Sequence, residues 1–449
     1  MRSPSASELR QALPPGTAPL VERVLEAAER RGLRVYLVGG PVRDLLLAQA
    51  LRDVDLLVEE AEGRGAAELA REAAPEGARV VAHDRFGTVR IDCGAVSIDL
   101  ATARSERYAR PGALPEVGPG SLEDELRRRD FSVNAMALPL SDVARSAHGA
   151  LVDPEGGQRD LQQRTLRILH PQSFHDDPTR ALRAARLAAR LRFTLSRGTR
   201  SALRDALRDG AFGGVSGERL RREVEKLFGD SALGLDPATA LRLLEEWHVL
   251  GALEPGLGLP RVAVPALRRL GRSLSTPPWP SPRLRPWAAG LATWLAPLES
   301  GLRARALKRF AVRGEVARRL AAFRGLRDAR IRALARARGR GAIDALLGDL
   351  GEDELLALFA WAPPTGRRRI QRYAAEDRAR RLPLTGDDLV ALGLSGPLVG
   401  KALARIRAAF LDGAVRSRED AVALARELGR QRATPRRAAP PAPREPGPA

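Results

Sequence analysis

Apolar positions come in short strand-like runs along the first third of the chain and at helical spacing along the rest. Residues 18–31 place apolar side chains three and four apart, which predicts an amphipathic helix leading into an apolar strand over 34–40. A helix over 41–50, a strand over 53–59 and a helix over 63–76 follow, then strands near 79–83, 86–92 and 95–102. Residues 108–120, YARPGALPEVGPG, hold three prolines and three glycines and predict a mobile loop. Ser121 can cap a helix over 122–129 with Asp124 at its third position, and FSVNAMALPL (131–140) predicts another strand.

After residue 160 helical periodicity dominates, in 178–192, 197–208, 217–228 and many later segments. The expected fold class is therefore α+β, a mixed-sheet head followed by an all-helical neck, body and tail. The expected divisions are a helical lead-in (1–33), the head (34–160), the neck (161–235), the body and tail (236–433) and a low-complexity, disordered end (434–449). Residues 275–285, STPPWPSPRLR, predict a linker or Pro-rich turn.

Composition narrows the setting. The 449 residues are 44% hydrophobic and 29% charged, as expected of a soluble globular chain. No apolar run reaches the ~18 residues of a membrane span, and the first residues lack the apolar core of a signal peptide. Cys93 is the only cysteine, which excludes an intrachain disulfide or a cysteine metal cluster and points to a reducing cytoplasm. No membrane and no obligate protein partner is implied.

Charge adds more. Residues 1–160 carry 21 basic and 26 acidic side chains, residues 161–230 carry 15 and 8, and the remainder carries 39 and 21, for a net charge of +20. Lys226, Lys308 and Lys401 are the only lysines, so a bias toward arginine is present. Such a bias explains Arg over Lys but not the uneven balance against acids. A mildly acidic head ahead of a strongly basic body points to a polyanion held by one part and chemistry in another.

The chemistry begins in VYLVGGPVRDLLLAQALRDVDLLVEE (35–60). Asp53 and Asp55 stand two apart, on one face of a strand. Two carboxylates that close repel unless a cation sits between them, and Mg²⁺ favours carboxylate oxygens together with substrate phosphates. Asp99, in VSIDLATA, lies on a later strand that could pair beside the first and is the candidate third carboxylate. A lone Asp-x-Asp is weak evidence, but the apolar residues around this pair make an idle surface role less natural. Gly39-Gly40 at a strand-to-helix junction would let backbone approach a phosphate, with Arg43 aimed at it. An ordinary strand–turn–helix with Arg43 and Asp44 as a surface pair fits those four residues equally well. Asp177 and Arg180, three apart on a helix, offer only acceptors and only donors. That combination matches the amine-bearing edges of cytosine and adenine and not those of guanine or uracil. A plain i,i+3 ion pair is the alternative.

Taken together these residues resemble a family. LVGGPVRD followed by DVD is similar to the signature of class II tRNA nucleotidyltransferases and bacterial poly(A) polymerases, in the DNA polymerase beta superfamily. IDLATARSERYARPGALPEV resembles that family's third-carboxylate strand and flexible loop, and RRDFSVNAMA (128–137) its ribose-binding element. LVDPEGGQRDLQQRTLRIL (151–169) resembles the hairpin that follows, DDPTRALRAARLAARLRF (176–193) the base-selecting neck helix, and GERLRREVEKLF (217–228) the next helix. These cover most of residues 30–230, in order and with fitting spacing.

The resemblance implies that Asp53, Asp55 and Asp99 bind catalytic Mg²⁺ and that Gly40 and Arg43 hold the triphosphate, with Gly39 and Asp44 among the nucleotide contacts. Arg129, Asp130 and Asn134 would lie around the sugar and phosphates. Asp177 and Arg180 would read the base, and Arg183 and Arg186 would line the pocket. Asp176 stands where the family usually has Glu, one methylene longer. LPLTGDDLVALGLSGPLVGKALARIRAAFLDG (382–413) resembles the tail element, read as two helices joined by a Gly-rich turn that suits either a phosphate contact or a helix cap. No histidine follows His248, so the His-Asp phosphohydrolase domain fused in some relatives is not expected. The implied activity is addition of CCA to tRNA from CTP and ATP. CC-adding, A-adding and poly(A)-adding enzymes, and a nucleotidyltransferase acting on a non-RNA substrate, remain alternatives.

Overall fold

The computed structural model describes residues 4–59, 65–83, 87–107, 116–140 and 150–433. Its Cα framework divides into two compact units, Met1–Leu259 with Ala304–Arg313, and Pro260–Arg303 with Gly314–Ala449. The tail at 434–449 and most of the loop expected at 108–120 lie outside the described residues.

The first unit is built on a six-stranded mixed sheet. Its strands are β1 (Arg34–Val38), β2 (Asp55–Glu59), β3 (Arg79–His83), β4 (Thr88–Asp92), β5 (Ser97–Thr102) and β8 (Ala137–Pro139), in the order β3-β4-β5-β2-β1-β8. β2 and β5 run parallel, and the other neighbours are antiparallel. The apolar runs of β1 and β2 are continuous because both faces of the sheet are covered. Helix Ala18–Arg30 turns Leu20, Val21, Val24, Ala27 and Ala28 inward, the three-and-four spacing read from the sequence. A second cluster of Tyr36, Val38, Leu57, Leu126, Ala135 and Ala137 seals against helix Leu122–Arg127. Each fully buried Leu or Val there is worth about 1.5–3 kcal/mol.

Some expectations shift. Helix Gly40–Leu46 ends four residues before the expected 50, and Ala48 takes a left-handed conformation just beyond it. The strand expected over 131–140 is instead a 3₁₀ turn at Ser132–Asn134 followed by the short β8. Side-chain bonds from Ser132 to Asp160 (2.5 Å) and from Asn134 to Asp130 (3.0 Å) compete with a ladder there. Helix Gly157–Gln162 interrupts the hairpin expected over 151–169, and Thr165–Leu166 pairs with Thr194–Leu195 instead of with the segment before the helix. Asp153 explains the helix, since its carboxylate accepts the first helical N–H groups, from Gly157 (2.6 Å) and Gln158 (3.0 Å). Glu116–Pro119, expected in the loop, forms β7, paired antiparallel with β6 (Arg104–Arg107). The cap expected at Ser121 is present: its hydroxyl accepts from Asp124 N, and the Asp124 carboxylate accepts from Ser121 N.

Beyond residue 170 the first unit is mostly helical, with Arg180–Leu191, Arg197–Arg208 and Gly217–Gly229 close to their expected spans. The segment Ala304–Arg313 returns to it. Arg309 donates to the carbonyls of Phe212 (2.8 Å), Val215 (2.8 Å) and Leu253 (3.0 Å).

The second unit is all helical. Helices Pro286–Leu295 and Glu352–Trp361 pack on one another and are apolar on most sides, so they form its centre. Trp279, in the expected linker, is buried with its ring centroid 4.8 Å from that of Phe359, so the Pro-rich stretch is anchored. Helices Gly386–Ala391 and Pro397–Leu411 flank the Gly-rich turn as expected and share a small core around Leu389, Ile406 and Ala421. Among the described residues no helix is long and apolar enough to cross a membrane.

Candidate nucleotide site

The junction after β1 is shaped by Gly39. Its φ is +75°, a conformation that calls for glycine, and a Cβ there would lie 2.8 Å from Nη1 at the end of the Arg129 side chain, which would have to move aside. Helix Gly40–Leu46 then contributes Gly40 and Arg43 to a cleft lined also by Asp53, Asp55, Arg129, Asp130, Asn134, Arg183, Arg186, Leu187, Arg190, Lys226 and Asp230, with a volume of about 350 Å³. Six cationic side chains face four carboxylates in it, a balance that suits a triphosphate.

Arg43 is not on the surface. It is 4% exposed, donates through Nε to Asp44 (2.8 Å) and through Nη1 to Asn134 Oδ1 (2.5 Å). Asn134 donates in turn to Asp130 (3.0 Å), which also accepts from Phe131 N (2.9 Å). Asp130 is buried, which alone would raise its pKa. Arg183, 2.9 Å away, the Asn134 bond, Arg180 and the Phe131 N–H outweigh burial and hold it below the usual carboxylate value.

Two of the acidic residues are neighbours in the sheet. Asp55 opens β2 and is the register partner of Asp99 on β5, while Asp53 precedes the strand and is exposed. Asp55 and Asp99, with Arg129, also line an adjoining cavity of about 620 Å³. Burial pushes the Asp55 carboxyl up to about 6, with Arg129 and Arg90 opposing and Asp99 and Asp53 adding to the rise. Asp55 beside its register partner Asp99, with the charge of Asp53 near enough to be felt, is a hard oxygen donor set of the kind a divalent cation takes. As the side chains stand, no three acidic, His or Cys groups converge into a metal cage among the described residues. Arg90, cross-strand partner of Asp99, forks onto both its oxygens, at 2.7 and 2.6 Å.

Helix Arg180–Leu191 supplies the far wall. Arg183, Arg186 and Arg190 fall on one face, three and four apart. Arg186 is held by Glu223 and Asp230, each at 2.8 Å. Asp177 and Arg180 are not among the residues lining the cleft. Asp177 accepts from Thr179 and pairs with Arg219 at 2.7 Å. Arg180, 4% exposed, donates to Ser173 Oγ (2.5 Å) and to the Arg128 carbonyl (3.1 Å). The two side chains hold separate partners rather than each other.

Arg190, Lys226, Asp230 and Arg90 were not singled out from the sequence. Arg190 continues the three-and-four spacing of Arg183 and Arg186, which is a readable signal. The others come from separate elements that only the fold brings together.

The profile of the Poly A polymerase head domain family matches residues 35–167. An "A-adding tRNA nucleotidyltransferase" of Halalkalibacterium halodurans is 32% identical over 91% of this chain and 92% of its own length. A "CC-adding tRNA nucleotidyltransferase" of Deinococcus radiodurans is 35% identical over 88% and 89%. An A-adding relative from Aquifex aeolicus is 43% identical, but the match spans 49% of this chain and only 25% of that protein. Among solved structures, an apo CCA-adding enzyme aligns over 94% of this chain and 99% of its own, with 27% identity and a TM-score of 0.70. A Thermotoga maritima CCA-adding enzyme complexed with tRNA aligns over 96% and 100%, with 25% identity and a TM-score of 0.67.

Proposed function

The chain belongs to the tRNA nucleotidyltransferase family, and from that premise we propose that it builds the CCA end of tRNA from CTP and ATP without a nucleic-acid template. The observation that carries this reading is the cleft in which Gly40, Arg43, Arg129, Arg183 and Arg186 surround Asp53 and Asp55. In this reading residues 34–160 are the catalytic head, 161–235 the base-selecting neck and 236–433 the basic body and tail that hold tRNA, in the cytoplasm.

The tRNA 3′-oxygen would attack the α-phosphorus in line. The bond from that phosphorus to the β-bridging oxygen breaks, and pyrophosphate leaves. Bound Mg²⁺ would neutralise triphosphate charge and lower the pKa of the attacking hydroxyl. Asp53, Asp55 and Asp99 would hold it. Gly40 and the end of its helix would receive phosphate oxygens, and the guanidinium groups of Arg129, Arg183 and Arg186 would orient the triphosphate. The buried Arg43–Asn134–Asp130 chain would fix the floor beneath the sugar. Asp177 and Arg180 would read the base after exchanging their present partners.

A narrower reading, addition of CC alone or of the final A alone, is favoured by the names of the two relatives aligned along most of the chain. Purified protein would be incubated with tRNA lacking all of CCA, or only its last residue, and with labelled CTP or ATP singly and together. The proposal expects both nucleotides to be incorporated in order. Incorporation of CTP alone or ATP alone selects the narrower reading, and no incorporation of either sinks both.

A further inference from the structure

Arg90 has no place in the scheme above, yet it occupies both carboxylate oxygens of the proposed third metal ligand. The pairing is set by the sheet. Arg90 on β4 lies directly opposite Asp99 on β5, and Asp99 lies beside Asp55 on β2. All three side chains line one cavity.

We infer that Arg90 is an internal competitor of the divalent cation, a positioning residue that holds Asp99 until metal binds and must open its fork to let Asp99 join Asp53 and Asp55. This rests on the metal reading of those three carboxylates. A dication on Asp99 would stand beside the guanidinium, two positive charges on one carboxylate, and their repulsion is relieved when the fork opens. No three acidic side chains converge among the described residues, and both Asp99 oxygens are taken by Arg90. Opening is easy, because the Arg90 side chain is 51% exposed and that of Asp99 40%, so Arg90 can turn to water without burying a charge. An ion pair this exposed is weak enough for a dication to displace and strong enough to bias the empty state.

The test is Mn²⁺ affinity without nucleotide, read from the free-ion signal in electron paramagnetic resonance, with melting temperature measured alongside. Arg90→Gln is expected to tighten Mn²⁺ binding about two- to fivefold, the worth of an exposed ion pair. Arg90→Lys, which cannot fork, is expected to fall between, and serves if the first variant folds poorly. In an Asp99→Asn background the Arg90→Gln change should lose its effect. Unchanged or weaker binding in Arg90→Gln overturns the inference, since a group that only orients Asp99 would weaken metal binding when removed. Equal tightening with Asn at 99 also overturns it, marking a long-range charge effect. Asp53→Ala separates the two levels. If it binds Mn²⁺ as wild type does, the metal reading and this inference fall together. If it loses Mn²⁺ while Arg90→Gln shows no tightening, only this inference falls.

Discussion

Arg190 reaches back 146 positions to place a guanidinium nitrogen 2.5 Å from a carboxylate oxygen of Asp44. Asp44 also accepts from Arg43, so one buried carboxylate joins the helix after the glycine turn to the arginine-bearing helix across the cleft. Asp44→Ala leaves two guanidinium groups there without their shared partner. It should destabilise the protein by roughly 3–5 kcal/mol. Urea denaturation checks this, and a loss under about 1 kcal/mol would mean the pair behaves like a surface one.

Asp53→Ala and Asp55→Ala should each lower nucleotide transfer by on the order of 10²–10³-fold or more. Affinity for tRNA should stay within about twofold, since phosphate contacts elsewhere carry it. Single-turnover transfer and gel retardation measure the two separately. Near-normal turnover in either variant removes that residue from the metal site.

Gly39→Ala puts a side chain on a positive-φ backbone, worth roughly 1–3 kcal/mol, and pushes the Arg129 guanidinium aside. The KM for nucleotide is expected to rise on the order of tenfold, about 1.4 kcal/mol. Steady-state kinetics decide, and an unchanged KM would show that Arg129 does not depend on that close approach.

In the second unit, Asp388 caps its own helix. The N–H and hydroxyl of Thr385 bind its carboxylate, Arg418 adds a third contact at 2.6 Å, and the carboxyl is held down at about 2. Its folded value lies below the ordinary one. The stability it contributes is therefore present above about pH 4 and lost as pH falls through about 2. Melting of wild type and Asp388→Asn from pH 5 to 2 should show a gap that closes at the acid end. A constant gap would rule out ionisation as the source of the cap's contribution.

Much of the fold was readable because periodicity reports burial. The strands around Leu37, Leu57 and Leu100 and the helices from Arg180 onward follow from apolar spacing alone. The reading faltered where side chains rather than spacing decide the backbone. Ser132 and Asn134 turn an apparently β-like run into a 3₁₀ turn, and Asp153 starts a helix inside an expected hairpin. At the site, the spacing of Asp53 and Asp55 and the glycine turn were visible locally. The expectation that the Asp99 strand can pair beside that of Asp55 agrees with the β2–β5 register. The separate partners of Asp177 and Arg180 were not visible, because Arg219 and Ser173 reach them only through tertiary packing.

The three carbonyls gathered by Arg309 bear on how this chain is made. Phe212, Val215 and Leu253 leave the ribosome well before the guanidinium that satisfies them. The first unit therefore cannot close its own hydrogen bonds until residue 313 has emerged, with part of the second unit already synthesised between. A chain cut at Leu259 keeps every proposed catalytic side chain and lacks the Arg309 guanidinium that joins these three carbonyls. Completion of the first unit thereby waits on a segment of its own, Ala304–Arg313, made after residues 260–303.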